Sequence, residues 1–377
     1  MDWGELEARG LYDPLADNAD ERRELLVWLD SLGCTVDEMV IAERDGRLFA
    51  LAGDRQIRPG RNQHTLSEVA ARIGVPLDVV QRVWRAGGLP DAGADRPIAS
   101  DADVEALVYA VAFGMRFGEE AMLSLVRVTG ASVARIAEAV SSLVRSNVAG
   151  LQLEDSGSEL VTAQAFAEVA EAVPRLAHLI DVLHRHHLET TRRQVELSDS
   201  RDLIGQGSLR LAVGFADLSG FTAASQAVPL AELSQLVSRF EERASDLVFA
   251  AGGRVVKFIG DAVMFVAPRP DLGGRIALGL VDELAGAGGL PVRVGVTYGE
   301  VLSLDGDYFG PPVNLASRLV GLAEPGTVLL STDLADRLGD TGWELTTLPP
   351  QPVRGYTEPV TAVALRHGGV AHSGVAG

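Results

Sequence analysis

Two apolar runs on either side of a glycine-containing turn constrain the fold of this chain more than any other stretch. Arg254–Phe258 and Ala262–Val266 flank Ile259-Gly260-Asp261. β-branched and apolar residues around a Gly-Asp pair predict a β-hairpin with Asp261 at its tip. A second carboxylate, Asp217, ends another apolar run. If these strands are neighbours in one sheet, the two carboxylates lie close together, which suits Mg²⁺ or Mn²⁺ carrying a polyphosphate.

The simpler interpretation of each aspartate is structural. A single aspartate after a strand is most often a helix N-cap or a turn residue. Here two aspartates stand in matched settings, and Lys257 precedes the second by four positions. That repetition favours a shared site over two unrelated turns.

Three motifs then carry a resemblance to a known family. They are Phe215–Thr222, Lys257–Ala262 and Asp307–Arg318. In this order and at this spacing they resemble the motifs of class III nucleotide cyclases. The resemblance covers about the last two-fifths of the chain and predicts a catalytic domain over residues 209–367.

The predicted elements of this region agree with the α+β fold that the resemblance implies, a ferredoxin-like βαββαβ core. Strands alternate with helices, which predicts a sheet covered by helices on one face. The predicted strands are Leu209–Phe215, Arg254–Phe258, Ala262–Val266, Val292–Thr297, Val328–Leu330 and Val360–Leu365, and the predicted helices are Leu230–Ala251, Arg275–Ala287 and Asn314–Leu322.

The resemblance also implies which residues bind metal and base. Asp217 and Asp261 match the ligands of two Mg²⁺ or Mn²⁺ ions, with the backbone of Leu218 as a further ligand. Lys257 and Asp307 match the adenine-selecting positions, where one donates to N1 and the other accepts from the amino group. Guanine inverts that pattern, so the residues imply ATP as the substrate.

A second group matches the residues that act on the ribose and the phosphates. Asn314 and Arg318 lie four positions apart, so both project from one face of a helix. An Asn and an Arg in that arrangement are usually an exposed polar stripe. The resemblance instead makes Asn314 the residue that orients the ribose and Arg318 the one that bonds phosphate oxygens. Arg354, in Pro352–Tyr356, matches the position where relatives carry a triphosphate-binding lysine.

The implied activity is adenylate cyclase, which converts ATP to 3′,5′-cyclic AMP and pyrophosphate. In this family the metal-binding aspartates and the Asn–Arg pair of one active site come from different subunits. Each motif occurs once in this chain. The resemblance therefore implies a head-to-tail homodimer with two composite sites.

Composition limits the remaining possibilities. Apolar residues make up 47% of the chain, but no long uncharged run predicts a membrane span. The acidic N-terminus is unlike a signal peptide, and a single cysteine, Cys34, fits a reducing cytoplasm. The net charge of −19 argues against broad nucleic-acid binding.

Residues 1–188 predict an all-α regulatory domain that includes a helix-turn-helix-like segment at 65–89. Thr65 and Glu68 form a capping box, and a glycine and a proline separate two short helices. In a DNA-binding protein Gln81, Arg82 and Arg85 would contact the major groove. The alternative is a helical hairpin that packs against protein. Few basic residues and an acidic chain favour the hairpin, so DNA is not expected as a partner.

Four further segments rich in Ala, Leu and Val predict helices that break at glycines. They are Ala102–Phe113, Glu119–Thr129, Val133–Val148 and Ala163–His187. Few charges on any face predict helix-on-helix packing or a dimer interface. An enclosed pocket for an apolar ligand is the alternative.

The junction of the two domains predicts a regulatory switch. Residues 189–208 are polar and predict a linker, and residues 368–377 predict a disordered tail. His184, His186 and His187 precede the linker and either sense pH or form a solvated helix end.

The domain layout of the whole chain resembles that of soluble actinobacterial adenylate cyclases with an inhibitory helical domain, some of them activated by acid. The rival hypothesis is a degenerate, nucleotide-sensing cyclase domain coupled to DNA binding, and the presence of all expected site residues favours the enzyme.

Overall fold

The structure, a computed structural model, describes residues 1–147 apart from 59, 61, 91–92 and 94–95, together with residues 157–197, 207–285, 290–339 and 342–368. It divides into two compact units, unit 1 (residues 1–185) and unit 2 (residues 186–377). Residues 198–206 of the predicted linker and 369–377 of the predicted tail lie outside the described residues.

Unit 1 is helical, as the sequence predicts. Its elements are α1 (Trp3–Ala8), α2 (Ala19–Ser31), α3 (Val36–Arg44), a 3₁₀ turn (Leu48–Ala50), α4 (Leu51–Ile57), α5 (Leu66–Ile73), α6 (Leu77–Ala86), α7 (Asp101–Phe117), α8 (Glu119–Asn147), α9 (Glu159–Ala170) and α10 (Val173–Leu197), which continues into unit 2. One apolar cluster joins α1–α4 to α9, and a second joins α5–α8. In the described part of the chain, no helix combines the length and apolarity needed to cross a membrane.

The helix-turn-helix-like segment packs inside unit 1. The predicted capping box is present, because the Glu68 N–H donates to Thr65 Oγ1 at 3.1 Å and Glu68 Oε2 accepts from the Thr65 N–H at 2.8 Å. Helix α6 contacts α7 and α8. Arg82 forms ion pairs with Asp78 at 2.7 Å and with Glu119 at 2.6 Å. One of the proposed DNA-contacting cations is therefore occupied within the domain, which favours the packing interpretation.

Three predicted helix boundaries in unit 1 are wrong. Helix α7, predicted to end at Phe113, continues through Gly114 to Phe117. Helix α8 passes without a break through Gly130, where a Cβ would lie 2.5 Å from the Gly87 carbonyl oxygen. That glycine permits close packing rather than ending a helix. Conversely, the predicted helix Ala163–His187 is split between α9 and α10. Pro174, in the first turn of α10, lacks the N–H that would continue α9.

Unit 2 is built around one mixed sheet, which confirms the α+β fold. The strands are β1 (Ser208–Leu218), β2 (Arg254–Ile259), β3 (Ala262–Ala267), β4 (Val292–Leu304), β5 (Asp307–Phe309), β6 (Val328–Ser331), β7 (Trp343–Thr347) and β8 (Ala362–His367), and the helices are α11 (Phe221–Ala227), α12 (Leu230–Ala250), α13 (Pro270–Ala285), α14 (Pro311–Leu322) and α15 (Thr332–Ala335). The order is β2-β3-β1-β4-β6-β8-β7, with β5 paired to β4. Strands β4 and β6 are parallel, and the other pairs are antiparallel.

Helices pack on both faces of this sheet, whereas the sequence predicted one covered face. Helices α12 and α13 bury one face in a continuous core. Helix α14 lies on the opposite face against β4, where a Cβ at Gly295 would be 2.4 Å from the Val320 nitrogen and one at Gly299 would be 2.8 Å from the Pro312 side chain. These glycines let α14 approach the strand. The uncovered part of the second face carries the candidate site.

Candidate active site

The three predicted metal-binding positions come together at one edge of the sheet. Strands β1 and β3 are antiparallel neighbours, and Asp217 stands opposite Ala262. The Leu218 N–H donates to the Asp261 carbonyl oxygen at 3.1 Å. The β2–β3 turn is tight because Gly260 adopts a φ of 62°. The sequence order of strand and hairpin is therefore sufficient to place Asp217, Leu218 and Asp261 side by side.

A cation that the sequence interpretation missed holds one of these carboxylates. Arg293 lies opposite Asp217 in the β1–β4 register, and its Nε donates to Asp217 Oδ2 at 2.8 Å. The Asp217 side chain is 17% exposed and that of Arg293 is 34% exposed, so each charge of this partly buried pair compensates the other. The available signal was a single arginine in the apolar run Val292–Val296. The Asp261 carboxylate, in contrast, has no hydrogen bond or ion pair with any described residue.

The donor set at this edge fits a hard divalent cation. The described residues contain no group of three or more His, Cys, Asp or Glu side chains placed to bind a metal. Two carboxylates and backbone oxygens are an incomplete shell that phosphate and water oxygens can complete, as is usual for Mg²⁺. Oxygen ligands without thiolate or imidazole favour Mg²⁺ or Mn²⁺ over Zn²⁺. Asp217, Asp261 and the Leu218 backbone are therefore suitable ligands.

The predicted adenine-selecting residues also meet. Lys257 on β2 and Asp307 at the start of β5 form an ion pair between the ammonium Nζ and carboxylate Oδ2. Their side chains are 41% and 27% exposed, so both are open to a ligand. The arrangement offers one hydrogen-bond donor directly beside one acceptor. That pattern suits the edge of a planar heterocycle that presents an acceptor beside a donor.

Strand β5, which carries Asp307, was not predicted. It returns antiparallel to β4 through a two-residue turn in which Asp305 and Gly306 have φ values of 55° and 79°. An Asp-Gly pair is a strong hairpin signal that the sequence interpretation overlooked. The next residue, Tyr308, is 6% exposed and its hydroxyl accepts a hydrogen bond from Arg254 Nη2 at 2.7 Å.

Asn314 and Arg318 share the exposed face of α14, as the spacing predicts. Ala316 and Leu319 are buried on the face toward the sheet. Neither polar side chain hydrogen-bonds to a described residue, whereas the Asn314 backbone N–H donates to the Gly310 carbonyl at 3.2 Å and its carbonyl accepts from Ser317 Oγ at 2.8 Å. Within the described part of unit 2, no hydrogen bond or ion pair joins either side chain to Asp217 or Asp261.

Arg354 lies apart from the other predicted residues. It is exposed in the loop between β7 and β8 and lines a cavity of about 260 Å³ with Tyr356 and Glu358. Among the described residues it has no ion-pair partner, and no contact brings it to Lys257 or Asp217. Its phosphate-binding role stays a prediction.

The three histidines lie on a helix without buried residues. His184, His186 and His187 are all exposed on α10. The neighbouring arginines are each paired along the helix: Arg185 with Asp181 at 3.0 Å, Arg193 with Glu189 at 2.6 Å and Arg192 with Glu196 at 3.6 Å. These pairs reduce the cationic repulsion that protonated histidines would experience.

Comparisons with known proteins give the family of each part of the chain. The adenylate cyclase regulatory domain family matches residues 5–191, and the adenylate and guanylate cyclase catalytic domain family matches residues 206–366. An uncharacterized protein of Mycobacterium tuberculosis (strain H37Rv) is 45% identical over 368 residues, which cover 97% of this chain and 94% of that protein.

Several other relatives have names that state an activity. An adenylate cyclase of Glutamicibacter nicotianae is 34% identical over 321 residues, covering 80% of this chain and 79% of that protein. A pH-sensitive adenylate cyclase of Mycobacterium tuberculosis (strain CDC 1551) is 33% identical over 363 residues, covering 92% and 88%. Among solved structures, the adenylyl cyclase CyaB of P. aeruginosa aligns at a TM-score of 0.36 and 24% identity, over 42% of this chain and 94% of that one.

Proposed function

The chain belongs to the class III adenylate cyclases, and we propose that it forms 3′,5′-cyclic AMP and pyrophosphate from ATP at sites shared by two subunits of a homodimer. One observation carries the proposal. The same sheet face of unit 2 presents a pair of carboxylates at a strand end, Asp217 and Asp261, and an adjacent donor and acceptor, Lys257 and Asp307. The first pair suits a metal-bound triphosphate and the second suits adenine.

Each residue has a distinct role in the proposed reaction. Asp217, Asp261 and the Leu218 backbone would hold Mg²⁺ or Mn²⁺, which would activate the ribose 3′-hydroxyl and neutralise charge on the phosphoryl oxygens. Arg318 donates to phosphate oxygens whose charge grows as the 3′-oxygen attacks the α-phosphorus in line. Asn314 orients the ribose for that attack.

Base selection follows from the Lys257–Asp307 pair. The Lys257 ammonium can donate to adenine N1 while Asp307 accepts from the amino group. Guanine has a donor at N1 and an acceptor at O6, so it would place a donor against the Lys257 ammonium and an acceptor against the Asp307 carboxylate. Because buried polar groups left unpaired are costly, the pair selects ATP over GTP.

The exposed residues support a dimer. Asn314 and Arg318 have no side-chain partner in the described part of the chain, as expected if they complete a site on another subunit. In addition, Leu176, Ile180 and Leu183 are spaced at heptad a and d positions on α10, a helix with no buried residue. A second copy of the chain would cover this stripe.

Unit 1 regulates activity in this proposal by holding the catalytic halves of the dimer in a nonproductive arrangement. In the chain order β1, the strand that bears Asp217, follows α10 and the predicted linker, so we propose that a change in Leu188–Gly207 moves that half of the site. Acid is the proposed trigger through the histidines of α10. An apolar activator is the alternative signal, and one cavity in the described part of unit 1, about 470 Å³, is lined in part by the charged residues Glu7, Arg22 and Glu43.

A direct assay tests the proposed activity. Purified full-length protein is incubated with ATP and Mn²⁺, and cyclic AMP and pyrophosphate are measured together. Equal formation of the two products is expected. Saturable ATP binding without either product would instead support the rival nucleotide-sensing function.

A further inference from the structure

We propose that Arg254 and Tyr308 are positioning residues for nucleotide selection, whose contact fixes β5 over β2 so that Asp307 meets Lys257. The inference rests on the proposed function, since it concerns how that adenine-binding pair is held. Neither residue need touch the nucleotide. Both act through the carboxylate and the ammonium beside them.

Strand β5 depends on side-chain contacts for its position. It is three residues long and pairs only with β4, outside the main order of the sheet. So short a strand has few ladder hydrogen bonds to hold it. Tyr308 supplies the anchor, because it is 6% exposed and belongs to the apolar cluster of Val213, Val266 and Ala316 on this sheet face.

Arg254 contacts that anchor in two ways. Its Nη2 donates to the Tyr308 hydroxyl at 2.7 Å, and the centre of its guanidinium lies 5.4 Å from the ring centroid. The Arg254 Nε is buried and has no hydrogen-bond acceptor among the described residues. The hydroxyl and the ring are therefore what compensate this partly buried cation.

A β-bulge makes the arrangement possible. Arg254 stands opposite Val266, but Lys257 stands opposite Met264, because the register shifts at Val256. In a regular strand, residues three apart project from opposite faces. The extra residue in β2 places both cations on one face of the sheet. There each contacts a residue of β5: Arg254 contacts Tyr308, and Lys257 pairs with Asp307.

The consequence is specific to base recognition. Without the Tyr308 contact, the Asp307 carboxylate is free to shift relative to the Lys257 ammonium, so the donor–acceptor spacing no longer fits adenine alone. Asp217, Asp261, Asn314 and Arg318 stay on their own elements. Selectivity and KM should therefore change more than kcat.

The experiment uses the full-length chain and measures kcat and KM for ATP and GTP with Mn²⁺. In Tyr308→Phe and in Arg254→Met, the ATP-to-GTP ratio of kcat/KM should fall about tenfold, the effect of losing one charge-assisted hydrogen bond. The double variant should lose no more than either single variant, since both remove the same contact. Arg254→Lys, which can still donate to the hydroxyl, should restore most of the selectivity.

A matched arginine–tyrosine contact provides the control. On the opposite face of the sheet, the Arg337 guanidinium lies 5.5 Å from the Tyr298 ring, so Tyr298→Phe and Arg337→Met should leave the ratio unchanged. An unchanged ATP-to-GTP ratio of kcat/KM in Tyr308→Phe and Arg254→Met, or an equal loss of kcat/KM with ATP and GTP, overturns the inference.

Displacement of a fluorescent ATP analogue by ATP and by GTP repeats the comparison as a binding measurement. A wild-type chain that makes no cyclic AMP would refute the proposed activity, while displacement would still decide the inference.

Discussion

In unit 1, Arg22 lies among carboxylates from neighbouring helices, whereas in unit 2 Arg318 lies on an open helix face with no partner among the described residues. Arg22 of α2 pairs with Glu159 of α9 at 2.7 Å and with Glu43 of α3 at 3.0 Å. The Arg22 and Glu159 side chains are only 14% and 16% exposed. Unit 1 thus uses its buried charges to join helices, and unit 2 leaves polar groups available on one sheet face.

This contrast separates structural charges from functional ones. Both charges of a buried ion pair are compensated within the chain, so removing one of them should lower the free energy of unfolding. The carboxylate of Asp261 and the side chains of Asn314 and Arg318 have no such partners in the described residues, so little folding free energy depends on them. Their loss should be measured in activity. The predictions test that difference, beginning with the largest effect.

Asp261→Ala should lower kcat at least about a thousandfold, because a metal ligand supports several kcal/mol of transition-state stabilisation. The unfolding temperature should change little, since the carboxylate makes no bond to a described residue. Asp217→Ala should also abolish activity but leaves Arg293 unpaired, so it is expected to cost some stability as well. The measurements are Mn²⁺-dependent cyclic AMP formation and thermal unfolding. Full activity in the Asp261 variant would remove the metal assignment.

Mixed subunits test whether sites are shared. Asp217→Ala and Arg318→Ala should each be inactive alone, yet a heterodimer of the two retains one intact composite site. Random exchange should therefore restore about a quarter of wild-type activity. Subunit exchange is followed independently with two affinity tags. If tagged heterodimers form and remain inactive, the two halves of the site belong to the same subunit.

Arg22→Met should destabilise unit 1 by about 3 kcal/mol at neutral pH, because it leaves the Glu159 carboxylate buried without its cation. Burial raises the pKa of Glu159 above its ordinary value, and Arg22 opposes that shift. Removing Arg22 should raise the pKa further, so the carboxyl becomes neutral at higher pH. The deficit is then largest above this raised pKa and shrinks as the pH falls through it.

Urea unfolding followed by tryptophan fluorescence measures this effect, since Trp3, Trp28 and Trp84 all lie in unit 1. Arg44→Met, at an exposed arginine of α3, is the matched control and should change stability by less than about 0.5 kcal/mol. A deficit that stays constant from pH 8 to pH 5 would show that the buried carboxylate is not its cause.

The sequence was sufficient for the arrangement of Asp217 and Asp261, because strand order and a tight Gly-Asp turn are local signals. It was insufficient for Arg293 and for the Arg254–Tyr308 contact, which depend on strand register and on a bulge at Val256. These are long-range features without a local pattern. In unit 1 the error at Gly130 has a similar origin, since a glycine that ends a helix and one that permits close packing look alike in sequence.

Removing unit 1 tests whether the two regions are coupled. A chain beginning at Leu203 should be about tenfold more active than the full chain at pH 8, a typical coupling between a regulatory and a catalytic domain. The two chains should converge toward pH 5.5 if acid relieves the inhibition. Equal rates and equal pH profiles for both would exclude autoinhibition by residues 1–202.

The smallest expected effect is that of the three histidines proposed to sense acid. Histidine side chains gain a proton near pH 6.5, so they are the first candidates for activation between pH 8 and pH 5.5. The charged groups one turn from them on α10 are Asp181, which faces His184, and Glu189, three positions after His186, and these carboxylates are already paired with Arg185 and Arg193. Protonation at His184, His186 and His187 therefore adds charge to a helix whose other charges are largely balanced, and the effect should be a few-fold. For acid to activate, the inhibited state must bind these protons more weakly than the active state, so inhibition should dominate at high pH and be lost as the pH falls.

Replacing all three histidines with Gln in the full chain should flatten the pH profile of cyclic AMP formation at the inhibited level. Replacing His367 with Gln, which is paired with Asp282 in unit 2, is the control and should leave the profile intact. An acid-activated profile that survives the triple replacement would assign the trigger to other groups, with the buried Glu159 of unit 1 the next to test.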